Sequence, residues 1–446
     1  MTFDEMIEAF CSGTLENDMP RIALLRQGSQ EGEEIMGPGT LRQNIEGEIE
    51  LKCHVGFDDP QRMIDLINRS QMSEAGALFA ETDYYHVTAT DAHDAVWDAG
   101  SVLINSSISL PMAAGVIRAK PKLLRRHTTV RTLTSSLKLH FFDQAQRNWR
   151  GLIGGPYTVE LDSLRVLLTV EQAREGQIKV LATCDDAFPE AFERRLVEAL
   201  QFVVGQSLHC AVVDVIAASS RTLSLYGATS HIRRVPSFPP LATHTTQYTS
   251  QLIGLLRCYL RYLMALPDEG IWSPPSSFLS LLRRSSESSI DGWLIGICVA
   301  VEGLAGLIEF EPSKLADELA SFQENAAAWI SAQGISDGNR KRIEGLIGQL
   351  NTVRPRDRMM SLVPGGYLLE DDIKTWTKAR NSAVHTRRAG LADLKPRNLQ
   401  KSIDQLHRIY RLLYSIIFYV IGYRGVYTDY AERGFPEKDD SGAPTS

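Results

Sequence analysis

From residue 47 to residue 227 the chain alternates apolar and polar positions in short runs. These are "GEIELKCHV" (47–55), "YYHVTAT" (84–90), "SVLINSSIS" (101–109), "HTTVRTL" (127–133), "SLKLHFF" (136–142), "YTVELDSLRVLLTV" (157–170), "QIKVLATC" (177–184), "CAVVDVIA" (210–217) and "RTLSLYG" (221–227). Each is rich in Val, Ile, Thr and aromatics, which suits half-buried antiparallel strands. One stretch near 188–205 changes period: Phe192, Leu196, Leu200 and Val203 recur at helical spacing, with Pro189 suited to a first turn. After a proline-containing segment, "HIRRVPSFPPLATHTTQ" (231–247), the pattern becomes helical throughout, at about 249–266, 288–309, 313–333, 337–352, 370–388 and 396–421. In the last of these Leu399, Ile403, Leu406, Tyr410, Leu413, Ile417 and Val420 form one apolar stripe. The expected fold class is therefore α+β. A β-rich N-terminal region at 1–230, holding one or two antiparallel sheets plus a helix, divides near residue 112 into 1–112 and 113–230. A linker (231–248), an all-α bundle (249–436) and a disordered tail (437–446) follow.

Composition narrows the class. With 446 residues, 43% hydrophobic and 23% charged, the chain can bury more than one core. The start, "MTFDEMIEAFCSGTLEND", has no basic segment ahead of an apolar one, and no run approaches membrane-spanning length; "LLYSIIFYVIGY" (412–423) is too short. The six cysteines are scattered, with neither CxxC pairs nor histidines at zinc spacing. A cytoplasmic protein with free thiols, no metal and no cofactor is expected. The net charge of −7 conceals a segregation: residues 1–100 carry 20 Asp and Glu against 6 Lys and Arg, whereas residues 118–150 carry nine Lys and Arg against one Asp. That basic run could meet phosphates or an acidic surface, the chain's own acidic N-terminal region included.

The N-terminal region carries no GxSxG, P-loop or HExxH pattern, so the candidate chemistry lies elsewhere. It lies in "KARNSAVHTRRAG" (378–390), on the helix before the long apolar one. At helical spacing Asn381 and His385 share a face and Arg380 projects from its flank. A guanidinium fork matches phosphate, an imidazole exchanges a proton near neutral pH, and an amide can orient either group. Together they suit RNA transesterification, in which the substrate's own 2′-OH is the nucleophile. The plainer reading, a surface ion pair at Arg380 and a satisfied imidazole at His385, uses the same residues. Glu302, a carboxylate in the apolar helix "AVEGLAGL", could orient Arg380 or simply snorkel to solvent. Lys378, Arg387 and Arg388 could guide an RNA backbone or serve a helix end, and Trp376 reads as core.

Residues 249–435 resemble the HEPN superfamily of helical ribonuclease domains, whose signature of Arg, a polar residue, a short spacer and His is matched by "RNSAVH" at 380–385. The tail "GYRGVYTDYAERGFP" (422–436) and the β-rich region ahead of the bundle resemble its ApeA-like branch. The resemblance implies a metal-independent RNA endonuclease, a hydrolase acting as a homodimer or larger homo-oligomer through its C-terminal domain, with RNA as substrate. His385 is then the general acid or base, Arg380 the phosphate-binding residue, and Asn381 the residue that orients them. It implies a role in antiviral defense or abortive infection; the N-terminal region, which has no catalytic signature, is expected to sense a trigger such as a phage protein. A non-catalytic dimerisation or binding module that retains the HEPN shape, and partner-dependent nucleotide transfer, are the alternatives.

Overall fold

The computed structural model describes residues 2–28, 34–44, 46–71, 79–142, 146–162, 164–174, 176–227, 238–241, 249–267, 272–310, 315–348, 353–384 and 396–439. The chain forms two compact units: Met1–Val197 with Leu208–Arg234, and Glu198–Ser207 with Val235–Ser446. Among the described residues no helix is long and apolar enough to cross a membrane.

The first unit contains α1 (Phe3–Cys11), β1 (Glu16–Arg26), β2 (Glu34–Gln43), β3 (Ile49–Gly56), α2 (Pro60–Gln71), β4 (Tyr84–Thr90), β5 (Val96–Ser109), β6 (Ala114–Ala119), β7 (Leu123–Thr129), β8 (Ser135–Phe141) and α3 (Gln146–Trp149). It continues through β9 (Gly154–Leu161), β10 (Leu164–Arg174), β11 (Gln177–Cys184), the first half of α4 (Phe192–Val204), β12 (Cys210–Ile216) and β13 (Ser220–Tyr226). All its strands belong to one antiparallel sheet. β1, β2, β3, β6, β5 and β4 close into a ring through the β4–β5 pairing, and from β5 the sheet runs on through β7, β13, β12, β8, β11 and β10 to β9. The sheet is thus continuous across residue 112, where the sequence allowed a division.

Several elements differ from the sequence reading. β1, β2, β6, α1 and α2 were not expected, and the run 157–170 is two strands of a hairpin. β7 lies at 123–129, four residues before the expected run, with Leu133 exposed. Proline and glycine hide β1 and β2. Pro20 sits inside β1 where its register with β2 shifts between Met19 and Ile22, a bulge that accommodates the missing N–H. In β2, a Cβ at Gly37 or Gly39 would lie 1.9 Å from the carbonyl oxygen of His54 or Lys52, so these glycines permit the close approach of β3.

The acidic N-terminal stretch and the basic run meet inside this unit. Arg118 pairs with Glu50, Lys120 with Glu48 and Arg126 with Asp91. Lys138 lies 3.4 Å from the buried Asp214, which also holds Arg221 in a two-pronged bond at 2.8 Å. Helix α1 crosses this cluster: its Phe3 ring lies 4.7 Å from the Arg126 guanidinium and 4.4 Å from that of Arg221, and Met6 and Phe10 enter the core. Much of the basic run is therefore neutralised within its own unit. Beside it, burial and the charges of Lys179 and Lys138 push His140 down from 6.5 to about 4. A depressed folded-state value means that stability present above pH 6.5 is lost as pH falls toward 4. Lowering pH from 7 to 5 should therefore cost up to about 2 kcal/mol at this residue, and a His140→Gln variant followed by denaturant unfolding at both pH values should lack that increment.

The second unit contains the remainder of α4, α5 (Thr249–Ala265), α6 (Pro274–Ser286), α7 (Ile290–Ala305), α8 (Leu315–Ala332), α9 (Asp337–Gly348), α10 (Pro355–Met360), α11 (Glu370–Val384), α12 (Pro396–Val420) and a hairpin of β14 (Val426–Thr428) and β15 (Glu437–Asp439). Helix α6 escaped the sequence reading because "SPPSS" resembles a loop. Ser273 is its N-cap, with prolines in the first turn where no N–H is needed. β15 replaces the start of the expected disordered tail. Part of the expected linker is packed rather than free: the Phe238 ring stacks 4.8 Å from Tyr410 and lies 5.4 Å from Trp293, the hydroxyls of Tyr414 and Tyr430 donate to the carbonyls of Phe238 and Pro239, and Leu241 is buried.

The core of this unit is built on α7 and α12. Leu406, Tyr410, Leu413 and Ile417 of the α12 stripe are buried, but Leu399 at its start is 46% exposed, against expectation. Gly296 and Gly303 let α6 approach α7: a Cβ at either would lie 2.0 Å from Ser285 Oγ or Phe278 Cζ. One ionic cluster joins three elements. Arg411 of α12 donates to both carboxylate oxygens of Asp372 of α11 at 2.7 and 2.8 Å, and to Asp429, just after β14, at 2.9 Å; Lys438 of β15 closes on Asp429 at 2.7 Å.

Candidate functional site

Helix α11 opens with Glu370, Asp371 and Asp372, favourable at the positive end of the helix dipole. Its buried face repeats at helical spacing through Asp372, Ile373, Trp376 and Ala379. Asp372 fixes the start of the helix to Arg411. Trp376, buried as expected, fixes the middle: its indole N–H donates to the Cys298 carbonyl of α7 at 3.1 Å. One turn later Arg380 emerges from the same contact with α7.

There Arg380 Nε donates to Glu302 Oε2 and Nη2 to Oε1, both at 2.7 Å. This is the fork-on-carboxylate geometry that fixes a guanidinium in plane and direction. Glu302, for which the sequence left open orienting Arg380 or snorkelling to solvent, is in contact with Arg380 while its side chain stays 36% exposed. The pair is not sealed inside the bundle: the Arg380 side chain is 42% exposed and that of Glu302 36%. The carboxylate hydrogen bonds raise the pKa of Arg380, so its positive charge is secure at any working pH. The Nη1 group has no partner among the described residues and remains able to donate to a second anion. Beneath the pair Cys298 is buried, and desolvation pushes its thiol up to about 12, so it stays neutral and is not a nucleophile.

Asn381 is exposed and makes no side-chain hydrogen bond among the described residues. Lys378 is exposed on the same helix. His385, Arg387 and Arg388 lie outside the described residues. The sequence reading missed the surroundings of the pair on α7: Ile295 and Val299, both 45% exposed, precede Glu302 at helical spacing and lead along one face to it. A helical wheel of 290–305 would have placed the three together, although burial cannot be read from spacing alone. Among the described residues no group of three or more His, Cys, Asp and Glu is placed to hold a metal ion. Comparison of the chain with protein-family models, with curated proteins and with solved structures gave no match.

Proposed function

We propose that the protein is an endoribonuclease that cleaves RNA by 2′-OH transesterification, with Arg380 and His385 as its catalytic residues. One observation carries this reading: a guanidinium held rigidly by a carboxylate yet left open to solvent, five residues before a histidine. An arginine sealed in the bundle could not reach a phosphate. In the reaction a base removes the 2′-OH proton, the O2′–P bond forms as the P–O5′ bond breaks, and an acid protonates the departing O5′. Arg380 stabilises the charge gathering on the non-bridging oxygens. His385 supplies proton transfer. Two copies facing one another supply base and acid on opposite sides of the phosphorus, which one imidazole does poorly, so a homodimer is part of the proposal. Exposed Ile295 and Val299, on the face of α7 that leads to Glu302, offer apolar surface for an unstacked base or a second copy. Loop regions of tRNA or mRNA are the proposed substrates, and the β-rich region is proposed to sense a trigger, such as a phage protein, in abortive infection.

The test is digestion of a single-stranded RNA in EDTA. Cleavage is expected, and 2′-deoxy substitution at the nucleotide 5′ to the cut should abolish it, because the nucleophile is then missing. Cleavage that survives the substitution rejects the mechanism. Glu302→Gln removes the carboxylate charge that aligns Arg380. Cleavage should slow by about 10- to 100-fold, as for a misplaced catalytic group. Stability should change by no more than about 1 kcal/mol, since the pair is partly solvated; parallel rate and melting measurements check both.

A further inference from the structure

The ring of strands in the first unit carries a concavity on its outer face. Strands β3, β6 and β5 lie side by side there, and their inward residues, among them Leu51, Cys53, Val55, Ile117 and Ala119, are buried in the core. The alternate residues face outward. The register sets them in three rows: Gly56, Ala114 and Ser109; His54, Val116 and Ser107; Lys52, Arg118 and Asn105. The first two rows, with Met112 beyond the end of β5, line a concavity of about 530 Å³, within the usual range for a small-molecule site. Space is open in front of it. A Cβ on Gly56 would meet nothing within 4 Å, and Met112 is 75% exposed.

The polar groups of this face are not committed within the protein. His54, Asn105, Ser107 and Ser109 are exposed, and their side chains make no hydrogen bond among the described residues. The cations divide into two kinds. Arg42 and Arg118 are held by Glu50, and Lys120 by Glu48. Lys52, in the row beside the concavity, has no carboxylate partner among the described residues. Asp58 and Asp59 follow the opposite end of β3, where Asp59 accepts from the Gln61 N–H at 2.8 Å. The concavity is therefore polarised along β3: a cation and an imidazole at one end, hydroxyls along one side, then the apolar groups of Val116, Ala114 and Met112, with negative charge beyond them. From Lys52 to Gly56 the strand spans about 13 Å at 3.3 Å per residue.

We propose that this concavity binds a nucleoside monophosphate. The phosphate lies against Lys52 and His54, the ribose hydroxyls against Ser107 and Ser109, and the base on Val116, Ala114 and Met112. A lysine ammonium suits phosphate as a point charge, an imidazole N–H donates to a phosphate oxygen, and serine hydroxyls donate or accept. A methionine thioether makes favourable contacts with an aromatic ring. The carboxylates at the far end disfavour a second anionic group there, so one phosphate at the Lys52 end is the arrangement that fits. The proposal is independent of the nuclease reading, because its readout is binding and not cleavage.

The experiment is isothermal titration of the full chain with AMP, GMP, CMP and UMP in turn, with inorganic phosphate and the corresponding nucleosides as separate arms. At least one nucleotide should bind with Kd below about 1 mM. Inorganic phosphate and the nucleoside each fill one end of the concavity and should bind at least about 10-fold more weakly than that nucleotide. The Lys52→Ala/His54→Ala variant should also bind it at least about 10-fold more weakly, through loss of charge-assisted hydrogen bonds. Ala114→Trp fills the concavity and should abolish binding, whereas Arg380→Ala should bind as wild type, which separates this site from the guanidinium of the helical unit. None of the replaced side chains belongs to the buried core, so circular dichroism of these variants should match the wild type. Absence of nucleotide binding below 1 mM, inorganic phosphate binding as tightly as the nucleotide, affinity unchanged in Lys52→Ala/His54→Ala, or affinity lost in Arg380→Ala would each overturn the proposal. Should Ala114→Trp misfold, the Lys52→Ala/His54→Ala variant decides.

Discussion

Replacing Arg411 with alanine should lower the unfolding free energy of the helical unit by about 3–5 kcal/mol, the usual effect of removing one partner from a buried ion pair. The magnitude follows from what remains behind. Asp372 is 2% exposed and Asp429 is fully buried, and without the guanidinium each retains charge with too few partners. Asp429 also shows how the balance lies in the intact protein. Burial alone would raise its pKa, but Lys438 and Arg411 outweigh burial and hold it below the usual carboxylate range. A lowered folded-state value means that its stabilisation is complete above the unfolded carboxylate value near 4 and is lost as pH falls through the folded one. Denaturant unfolding of wild type and Arg411→Ala at pH 7 and pH 3 should therefore give a large difference at pH 7 that shrinks in acid. Replacing Arg411, Asp372 and Asp429 together by apolar residues of similar volume should be far less damaging than Arg411→Ala alone, because no charge is stranded.

The second large effect concerns chemistry. Arg380→Ala should reduce cleavage by about 10²–10³, the typical loss when one preorganised donor to a transition-state oxyanion is removed. His385→Ala should reduce it by about 10²–10⁴ through loss of proton transfer. Arg380→Lys should rescue little. A lysine cannot occupy the two-pronged site on Glu302 and still present a donor in a fixed direction. Neither Arg380 change should resemble Arg411→Ala in stability, since the Arg380 side chain is 42% exposed and its ion pair is solvent-screened. Initial rates on one RNA, set beside unfolding curves of the same proteins, separate a catalytic effect from a structural one.

Strands β3, β4, β8 and β11 were legible because an apolar residue stands at every second position, and α12 because its stripe repeats for about six turns. Strands β1 and β2 were not, because Pro20, Gly37, Pro38 and Gly39 imitate a loop. Their reasons for being there, a bulge and the close approach of β3, are tertiary. Helix α6 was missed for the related reason that prolines at a helix start look the same as prolines in a turn. At the site, Arg380, Asn381 and Glu302 could be selected by residue type and spacing. Only packing shows which carboxylate holds Arg380, that Asn381 does not, and that Ile295 and Val299 lie bare along the same face as Glu302. The charge segregation between residues 1–100 and 118–150 was visible at once. Its resolution into the pairs Glu48–Lys120, Glu50–Arg118 and Asp91–Arg126 depends on strands distant in sequence.

The most direct measurement is of the ends left on RNA cut by the purified protein in EDTA, with wild type and Arg380→Ala side by side. Wild type should leave 2′,3′-cyclic phosphate and 5′-hydroxyl ends, and the Arg380→Ala protein, folded by circular dichroism, should leave almost none. Cuts bearing 5′-phosphates, or cyclic ends made equally well without the guanidinium, would contradict the account.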